Sequence, residues 1–425
     1  MARPLKIFGV HLENSAVSYY RMWLPFDELN RQGLCECERF PDDVGRTTVP
    51  FLRASSNYSK SIGSFEDVGE GRDMIVFQRM ELLEHLSLTR ALKAMYGVPM
   101  VAECDDDLWS VQPSSNAYKK YRTMHPGENL TIKEISPQEV HLYDGDKRGR
   151  VIEEEDGKYY WITLEAGGNF RDNFTEFVRE SEGVTTTTEV LADVFRQYNP
   201  YVHILPNCLD VPRWKQAGCA PKRKTDRVCV AWLGGIQHFD DLYLLKEVIP
   251  DMLRANPKID FLTTMAVPEF WEKVADEFPN RFFTVPFAPI QSWPEHLGGL
   301  GIDIGLAPLN GAKFNRSKSN LKYIEFAALG IPAVFSPLPP YAEVDDGRTG
   351  FHAANEKDWV DCILRLAEDA GCRKKVGKAA QEHVFGEYDI AKKAIMWKDA
   401  YEEIYNRSIK HVRREAERTR ESMAK

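Results

Sequence analysis

The stretch FNRSKSNLKYIEFAALGIPAVFS, residues 314–336, predicts a loop, a helix, a tight turn and a buried strand, in that order. Ser317 or Ser319 can cap the start of the helix by accepting a backbone N–H that would otherwise lack a partner. Gly330 is placed to end the helix, because only glycine enters the left-handed backbone conformation at little cost. Pro332 prevents the helix from restarting, and the short apolar run after it predicts a strand.

The predicted helix has one charged face. Lys318, Lys322 and Glu325 follow one another at spacings of four and three residues, which places them on the same side. Two ammonium groups beside the free N–H groups of a helix N-terminus form a site for an anion. A glutamate one turn further on can accept hydrogen bonds from sugar hydroxyls. The set therefore suits a nucleoside diphosphate with its ribose; the alternative is a surface helix with an ordinary Lys–Glu pair.

With these residues the segment resembles the donor-site helix of GT-B glycosyltransferases, in particular retaining family four, the glycosyl transferases group 1. In that family a glutamate, seven residues and a second glutamate span this loop and helix. Glu325 matches the second glutamate, which holds the donor ribose, and the first falls at Ser317, which is not acidic. The Lys-Ser-x-x-Lys-x-x-Glu pattern is similar to a divergent branch common in phage genomes and surface-polysaccharide clusters. The resemblance implies a donor-binding set of Lys318, Ser319, Asn320, Lys322 and Glu325.

The composition describes a globular chain with room for two ordinary domains. Its 425 residues are 43% hydrophobic and 28% charged, as is typical of such proteins, and no apolar run approaches the roughly 20 residues that span a bilayer. The formal net charge of −9 argues against a non-specific nucleic-acid binder. The basic stretch at 407–425 is a local exception, for which a frayed, solvated helix end is favoured over a polyanion contact.

Targeting and metal-binding signals are weak. The N-terminus enters a predicted strand directly, so we expect no signal peptide. The eight cysteines are scattered and form no pair of CxxC units, so a zinc site is not expected. Reduced thiols fit a cytoplasm best, and we therefore predict a cytoplasmic protein without integral membrane contact.

The first half of the chain alternates strands and helices, which predicts a parallel sheet with right-handed crossovers. Its first strand, residues 5–10, leads into a loop at the edge where ligands bind to open parallel sheets. GT-B enzymes similar to this chain carry a loop there that faces the donor diphosphate. Arg21, in the following helix, is a candidate phosphate contact; the alternative is a surface arginine that pairs with Asp27 or Glu28.

Three carboxylates, Asp105–Asp107, follow another predicted strand, residues 98–103. Like charges this close favour protonation of one another, which suits a proton acceptor; the alternative is a helix N-cap with acidic first-turn residues. The Asp-Asp-Asp-Leu-Trp sequence also resembles the branch named above, and on that basis Asp106 and Asp107 are predicted to be catalytic residues in the cleft. Because the GT-B pattern surrounds them, we do not interpret them as the metal-binding Asp-x-Asp of the other glycosyltransferase fold.

Residues from about 127 to 170 predict an insertion. The pairs Asp144-Gly145 and Asp156-Gly157 are hairpin turn signals, and the segments around them predict the short strands of an antiparallel meander. This insertion either contacts the acceptor or a partner, or it is decoration, which is the safer expectation for a surface element.

The second half begins again with a strand, followed by a glycine turn. Gly234 and Gly235 would let the backbone approach a phosphate closely, and His238 either hydrogen-bonds a phosphate or caps the chain locally. Further alternation leads to an amphipathic segment at 388–405. Its match to the final GT-B helix implies that it crosses back and packs on the first domain.

Together these features predict an α/β protein of GT-B fold, in which two Rossmann-like domains face a cleft. The parts are an acceptor domain at 1–211 with its antiparallel insertion, a nucleotide-sugar donor domain at 227–387, and a crossing helix with a basic tail at 388–425. Residues between the two domains, rich in Lys, Arg and Pro, are expected to form a linker.

The expected activity is transfer of a hexosyl or similar residue from a nucleotide sugar, a UDP-sugar by preference, to a hydroxyl of a glycan or lipid-linked glycan. Lys318, the catalytic Lys322 and the helix N-terminus would stabilise the leaving diphosphate, so neither a divalent metal nor another cofactor is expected. The resemblance implies retention of anomeric configuration. The alternatives are a phage DNA glycosyltransferase acting on a hydroxymethylated base, a nucleotide-sugar epimerase and a non-catalytic GT-B protein.

Overall fold

The computed structural model contains two α/β domains, each built on a parallel six-stranded sheet. It describes residues 3–11, 15–40, 68–81, 83–111, 170–220, 226–235, 238–264, 267–286 and 288–423, together with five strands between residues 123 and 163.

The first domain is an open parallel sheet with helices on both faces. Its strands, in their order across the sheet, are Val202–Ile204, Gly183–Thr186, Met100–Glu103, Met74–Gln78, Leu5–Val10 and Cys35–Phe40. The helices are Ala16–Ser18, Tyr19–Trp23 (a π-helical turn), Leu24–Arg31, Leu83–Tyr96, Phe170–Glu180, Glu189–Arg196 and Val211–Ala217. The central strands Met74–Gln78 and Met100–Glu103 are buried at every position and apolar except at their last residues, because helices cover both faces of the sheet. Their register places Val76 opposite both Gly9 and Val101.

A separate antiparallel sheet interrupts this domain. Its strands are Thr123–Met124, Leu130–Ser136, Glu139–Asp144, Lys147–Glu153 and Tyr159–Thr163. Apart from the first, each strand pairs with its neighbour in sequence, and the first strand pairs with the last. The sheet begins before the predicted boundary at about 127. The predicted turn residues Gly145, Asp156 and Gly157 lie outside the described residues.

The second domain repeats the architecture. Its strands, in their order across the sheet, are Phe282–Val285, Ile259–Thr264, Val228–Trp232, Ile304–Ala307, Ala333–Phe335 and Phe351–His352. Its α-helices are Phe239–Leu242, Val248–Ala255, Glu272–Glu277, Trp293–Gly299, Lys313–Arg316, Leu321–Ala328, Glu356–Glu368 and Ala370–Glu387, with 3₁₀ turns at Tyr243–Leu245, Glu269–Trp271, Ile290–Ser292 and Pro339–Tyr341. Gly330, with φ of +67°, ends the helix before strand Ala333–Phe335 as the sequence predicts.

The segment between the two sheets differs from the predicted linker. Helix Val211–Ala217 begins with Asp210, whose side chain accepts a hydrogen bond from the Arg213 N–H. Trp214 in this helix is fully buried and belongs to a core shared by both domains. The connection is therefore packed at its start rather than free along its whole length.

A single long helix, Ile390–Met423, closes the chain and packs against the first domain, as the resemblance implies. The Tyr401 ring lies 6.4 Å from that of Phe26, in an edge-to-face arrangement. The first part of the basic stretch is packed rather than solvated, because Val412 and Ala416 are buried, whereas residues 417–422 are helical and exposed. One apolar face therefore continues along the helix and opposes a charged one.

Candidate active site

The helix Leu321–Ala328, here called the cleft helix, lies at the edge of the second sheet that faces the first domain. Its N-cap is Asn320, which makes no side-chain capping bond. Ser317 Oγ donates to the Phe314 carbonyl of the preceding short helix at 2.8 Å, and Ser319 Oγ accepts a hydrogen bond from Asn207 Nδ2 at 3.0 Å. The prediction that one of these serines caps the helix is wrong, because Ser317 bonds to the end of the preceding short helix and Ser319 contacts the other domain.

Asn320 is also engaged within the protein. Its Nδ2 donates to the Tyr388 hydroxyl at 2.8 Å and to the carboxylate of Glu343. Its predicted role in donor binding stays a prediction, and its contacts place it beside the junction between the second domain and the C-terminal helix.

Glu325 is buried in the cleft helix and held from two sides. Its side chain is 5% exposed, and its Oε1 accepts hydrogen bonds from the Tyr20 hydroxyl at 2.9 Å and from Trp293 Nε1 at 3.0 Å. Tyr20 belongs to the first domain and Trp293 to the second. The other oxygen, Oε2, lies 3.7 Å from Lys322 Nζ, which is an ionic contact rather than a hydrogen bond. The carboxylate thus presents one oxygen beside a lysine while the other is anchored.

Lys318 points across the cleft to the first domain. Its Nζ lies 3.8 Å from Asp106 Oδ1 and 4.5 Å from the centre of the Phe314 ring. The two side chains of the ion pair are 20% and 22% exposed, so the contact is open to solvent. The predicted phosphate-binding lysine is therefore paired with the predicted catalytic carboxylate.

Arg79 completes this charged group, and sequence reasoning missed it. It directly follows strand Met74–Gln78, at the edge of the sheet where ligands bind, and its Nη1 lies 3.9 Å from Asp106 Oδ2. Among the described residues it is the non-glycine residue with positive φ, at 53°. Such backbone strain concentrates at functional sites. Its position immediately after a buried strand was the available sequence signal.

The carboxylates after strand Met100–Glu103 are in three different environments. Asp106 lies between Arg79 of the first domain and Lys318 of the second. Asp107 is fully buried, and its Oδ1 accepts a hydrogen bond from the Trp109 N–H at 3.1 Å, so it organises the local turn and does not face the cleft. Burial, followed by the neighbouring Asp106, raises the pKa of Asp105 to about 7. Asp105 Oδ1 and Asp107 Oδ2 have no hydrogen-bond partner among the described residues.

Arg21 is not available to a phosphate in this structure, which corrects the prediction made for it. Its guanidinium is buried and pairs with Glu103 at 2.7 Å, and it also donates to Asn207 Oδ1 and to the Leu205 carbonyl. It does not make the alternative surface pair with Asp27 or Glu28 either. Because Asn207 in turn donates to Ser319, Arg21 braces the contact between the two domains.

The glycine turn of the second domain brings His238 to the same cleft. Gly234 is needed for packing, since a Cβ there would lie 2.5 Å from the Trp232 ring, and its neighbour Gly235 is half-buried in the turn. His238 Nδ1 donates to Asp241 Oδ2 at 3.1 Å, which leaves Nε2 as the ring nitrogen open to a ligand. Burial, followed by Lys318, lowers the pKa of His238, with a smaller contribution from Lys322.

Asp241 is a second residue that sequence reasoning missed. It is buried, and its Oδ1 accepts hydrogen bonds from the Asn310 N–H at 2.9 Å and from Asn315 Nδ2 at 2.6 Å. One carboxylate therefore fixes the ring of His238 and joins the glycine turn to the loop before the cleft helix. Acidic residues are common in the first turn of a helix, so the pair Asp240-Asp241 gives no sequence signal for this role.

The cleft therefore collects three positively charged or protonatable groups, Lys318, Lys322 and His238, on the second domain. Asp106 and Arg79 face them from the first domain. Such a group can bind an anion, with a carboxylate on the opposite wall. Within the described ranges, no group of three His, Cys, Asp or Glu side chains is placed to hold a metal ion. No helix in the same ranges has the length and apolar character required to cross a membrane.

The fold is shared with solved glycosyltransferase structures at low sequence identity. HepE of Anabaena, solved in complex with UDP and glucose, is 12% identical with a TM-score of 0.57, over 94% of this chain and 99% of that one. Sucrose-phosphate synthase of Thermosynechococcus elongatus is 13% identical with a TM-score of 0.58, over 96% and 100%. A glycosyltransferase of Rickettsia africae is 10% identical with a TM-score of 0.56, over 95% and 99%.

These structures show that the chain has the two-domain α/β GT-B fold, as the sequence predicts. No protein-family model matches the chain, and no curated protein sequence matches it. The similarity is therefore one of fold, and function has to be inferred from the residues of the cleft.

Proposed function

We propose that the protein is a glycosyltransferase that moves a sugar from a nucleotide-sugar donor, a UDP-sugar by preference, to a hydroxyl acceptor. The observation that carries the proposal is the pairing of an anion site with an opposed carboxylate. Lys318, Lys322 and His238 gather in the cleft of a GT-B fold, and Asp106 faces them from the other wall. HepE, which shares the fold, was solved with UDP-glucose, and this supports a UDP-sugar as donor.

In the proposed reaction the bond between the anomeric carbon and the diphosphate oxygen breaks, and its electron pair stays on the diphosphate. Lys322 and Lys318 stabilise the charge that develops there, so they bind the transition state better than the ground state. A new bond forms between the anomeric carbon and the acceptor oxygen. The hydroxyl proton passes to a carboxylate of the first domain. The position of Asp106 opposite Lys318 supports Asp106 in this role, and a pKa raised to about 7 supports Asp105 as the second candidate.

The resemblance to retaining family four favours retention of configuration, and the acceptor is proposed to be a glycan or a lipid-linked glycan. Positively charged side chains at the cleft helix take the place that Mg²⁺ has in metal-dependent transferases. We therefore propose a metal-independent reaction.

The test is a release assay with a panel of UDP-, GDP- and ADP-sugars, followed by acceptor trials with glycans, lipid-linked glycans and hydroxymethylated DNA. We expect nucleoside diphosphate release from a UDP-sugar, unchanged by EDTA, and transfer to a glycan. Failure to bind or turn over any nucleotide sugar would contradict the proposal. Loss of activity on chelation, restored by Mg²⁺ or Mn²⁺, would contradict its metal independence, and transfer to DNA alone would replace the proposed acceptor class.

A further inference from the structure

We infer that Tyr20, a residue of the first domain, positions Glu325 of the second domain for recognition of the donor ribose. This inference rests on the proposed function, because it assigns a role within the same site. Tyr20 is then a positioning residue. Through this contact between domains, the protein distinguishes a nucleotide whose ribose has its hydroxyls from one whose ribose lacks them.

Hydrogen bonds hold the Glu325 carboxylate in one orientation. A carboxylate oxygen accepts two hydrogen bonds comfortably, and Glu325 Oε1 accepts two, from Tyr20 at 2.9 Å and Trp293 at 3.0 Å. Two donors on one oxygen fix the torsion angles of the side chain. The second oxygen is then held beside Lys322 Nζ, at 3.7 Å, where it can accept hydrogen bonds from a ligand.

Tyr20 is protonated and acts as the hydrogen-bond donor to Glu325. Its side chain is almost completely buried, and burial together with the adjacent Glu325 raises its pKa well above the ordinary value for tyrosine. The phenol therefore stays protonated at physiological pH and acts as a donor to the carboxylate. Since its hydroxyl bonds to Oε1, it leaves the accepting capacity of Oε2 for ribose hydroxyls.

The local backbone explains why Tyr20 reaches the other domain. Residues Tyr19–Trp23 form a π-helical turn between two α-helical segments, and such turns occur frequently at functional sites. The turn holds two consecutive side chains in the junction between domains: Tyr20 bonds to Glu325, and Arg21 reaches Asn207, which bonds to Ser319. Both contacts fix the same loop and helix.

The test compares binding of UDP and of 2′,3′-dideoxy-UDP by calorimetry, for the wild type and for Tyr20→Phe. We expect Tyr20→Phe to weaken UDP binding about tenfold, the scale of one hydrogen bond to a charged group, and to change 2′,3′-dideoxy-UDP binding less than about twofold. In turnover, the donor KM should rise while kcat changes little, because the contact is the same in the ground and transition states.

Tyr19→Phe is the matched control. Tyr19 lies in the same π-helical turn, and its hydroxyl accepts a hydrogen bond from Arg213 at 3.4 Å rather than contacting Glu325. It should leave the preference for UDP unchanged. Trp293→Phe, which removes the second donor to Oε1, should reduce that preference in the same way as Tyr20→Phe.

The outcomes separate this inference from the proposed function. A wild type that prefers UDP, with a Tyr20→Phe variant that keeps the full preference, overturns the inference and leaves the proposed function standing. The same holds if both ligands weaken equally, since that indicates a structural defect. A wild type that binds neither ligand overturns the proposed function and this inference with it.

Discussion

Lys318 and Lys322 lie on one face of the cleft, yet they have different partners in the structure. Lys322 is beside Glu325 in its own helix, and Lys318 is beside Asp106 of the first domain. We expect Lys322→Ala to lower kcat by about 10²–10³, the effect of removing one preorganised donor to a developing negative charge. Lys318→Ala should have a smaller effect, because residues inside a helix hold their direction better than residues in a loop.

The control for both lysine variants is Lys313→Ala, which removes an exposed lysine from the short helix that precedes this loop. It should leave kcat unchanged. Steady-state rates at saturating donor decide the matter, and near-normal kcat in both Lys318→Ala and Lys322→Ala would contradict the assignment of these residues to the leaving diphosphate.

Glu325 allows a test in which binding and stability are separated. We expect Glu325→Gln to raise the donor KM about tenfold or more, because the amide loses the charge that strengthens hydrogen bonds to ribose hydroxyls. Glu325→Ala should also destabilise the protein by about 1–3 kcal/mol, since it leaves the buried donors of Tyr20 and Trp293 unpaired. Donor kinetics and thermal unfolding of the two variants check this, and normal donor affinity in both would exclude Glu325 from the site.

At the level of single residues, the sequence identified the charged groups better than their roles. Lys318, Lys322, Glu325, His238 and Asp106 gather at the cleft. Arg21 and Asp107 do not face it, because each is buried with partners of its own. A pattern of residue types gives the element on which a side chain lies. It does not tell whether a nearby carboxylate or backbone N–H will take up that side chain, which depends on packing between distant segments.

At the level of elements, the glycine turn and the loop before the cleft helix act as one unit through Asp241. His238 is expected to be neutral at pH 7, because burial and Lys318 lower its pKa. A bound diphosphate would raise that pKa again, so binding takes up a proton and strengthens as the pH falls towards the pKa of the free protein.

Titration of the wild type and of His238→Gln with UDP between pH 8 and pH 6 measures this contribution. The ratio of the two affinities cancels the titration of the nucleotide itself, and it should rise as the pH falls, by at most about tenfold per pH unit for one proton. The measurement should also show proton uptake in buffers of different ionisation enthalpy. A ratio that is constant across the range would show that His238 does not contact the phosphate.

Local features of an element could be predicted from the sequence where a residue acts on its own backbone. The left-handed Gly330 and the strand after it were predicted, because glycine and proline act on their own backbone. The predicted capping residue of the cleft helix was wrong, because Ser317 and Ser319 bond to groups outside the helix. The π-helical turn at Tyr19–Trp23 has no local signature and was not predicted.

At the level of the whole molecule, the two parallel sheets could be predicted because each strand and helix carries its own periodicity and turn residues. The contacts between the domains could not. Tyr20 and Glu325 are 305 positions apart, and neither position has a pattern that depends on the other. The resemblance supplied the fold and the expected cleft, while the bonds that orient side chains within the cleft became visible only in the structure.

Under the proposed function, the ion pair between Asp106 and Lys318 occupies a lysine that is proposed to bind the donor diphosphate. Asp106 is then an internal competitor of the diphosphate. It would then oppose binding of the donor, and after transfer it would re-form its pair with Lys318 and so favour departure of the product. As a proposed proton acceptor, Asp106 would become free for that role once a diphosphate had displaced it from the lysine.

Asp106→Asn should accordingly bind UDP more tightly than the wild type, by about two- to fivefold for a partly exposed ion pair, and release it more slowly. Its turnover should fall at the same time, so that affinity and rate move in opposite directions. Stopped-flow measurement of UDP dissociation would show the effect, and weaker binding by Asp106→Asn would refute it. The rate of turnover would then depend in part on how quickly Asp106 re-forms its ion pair with Lys318.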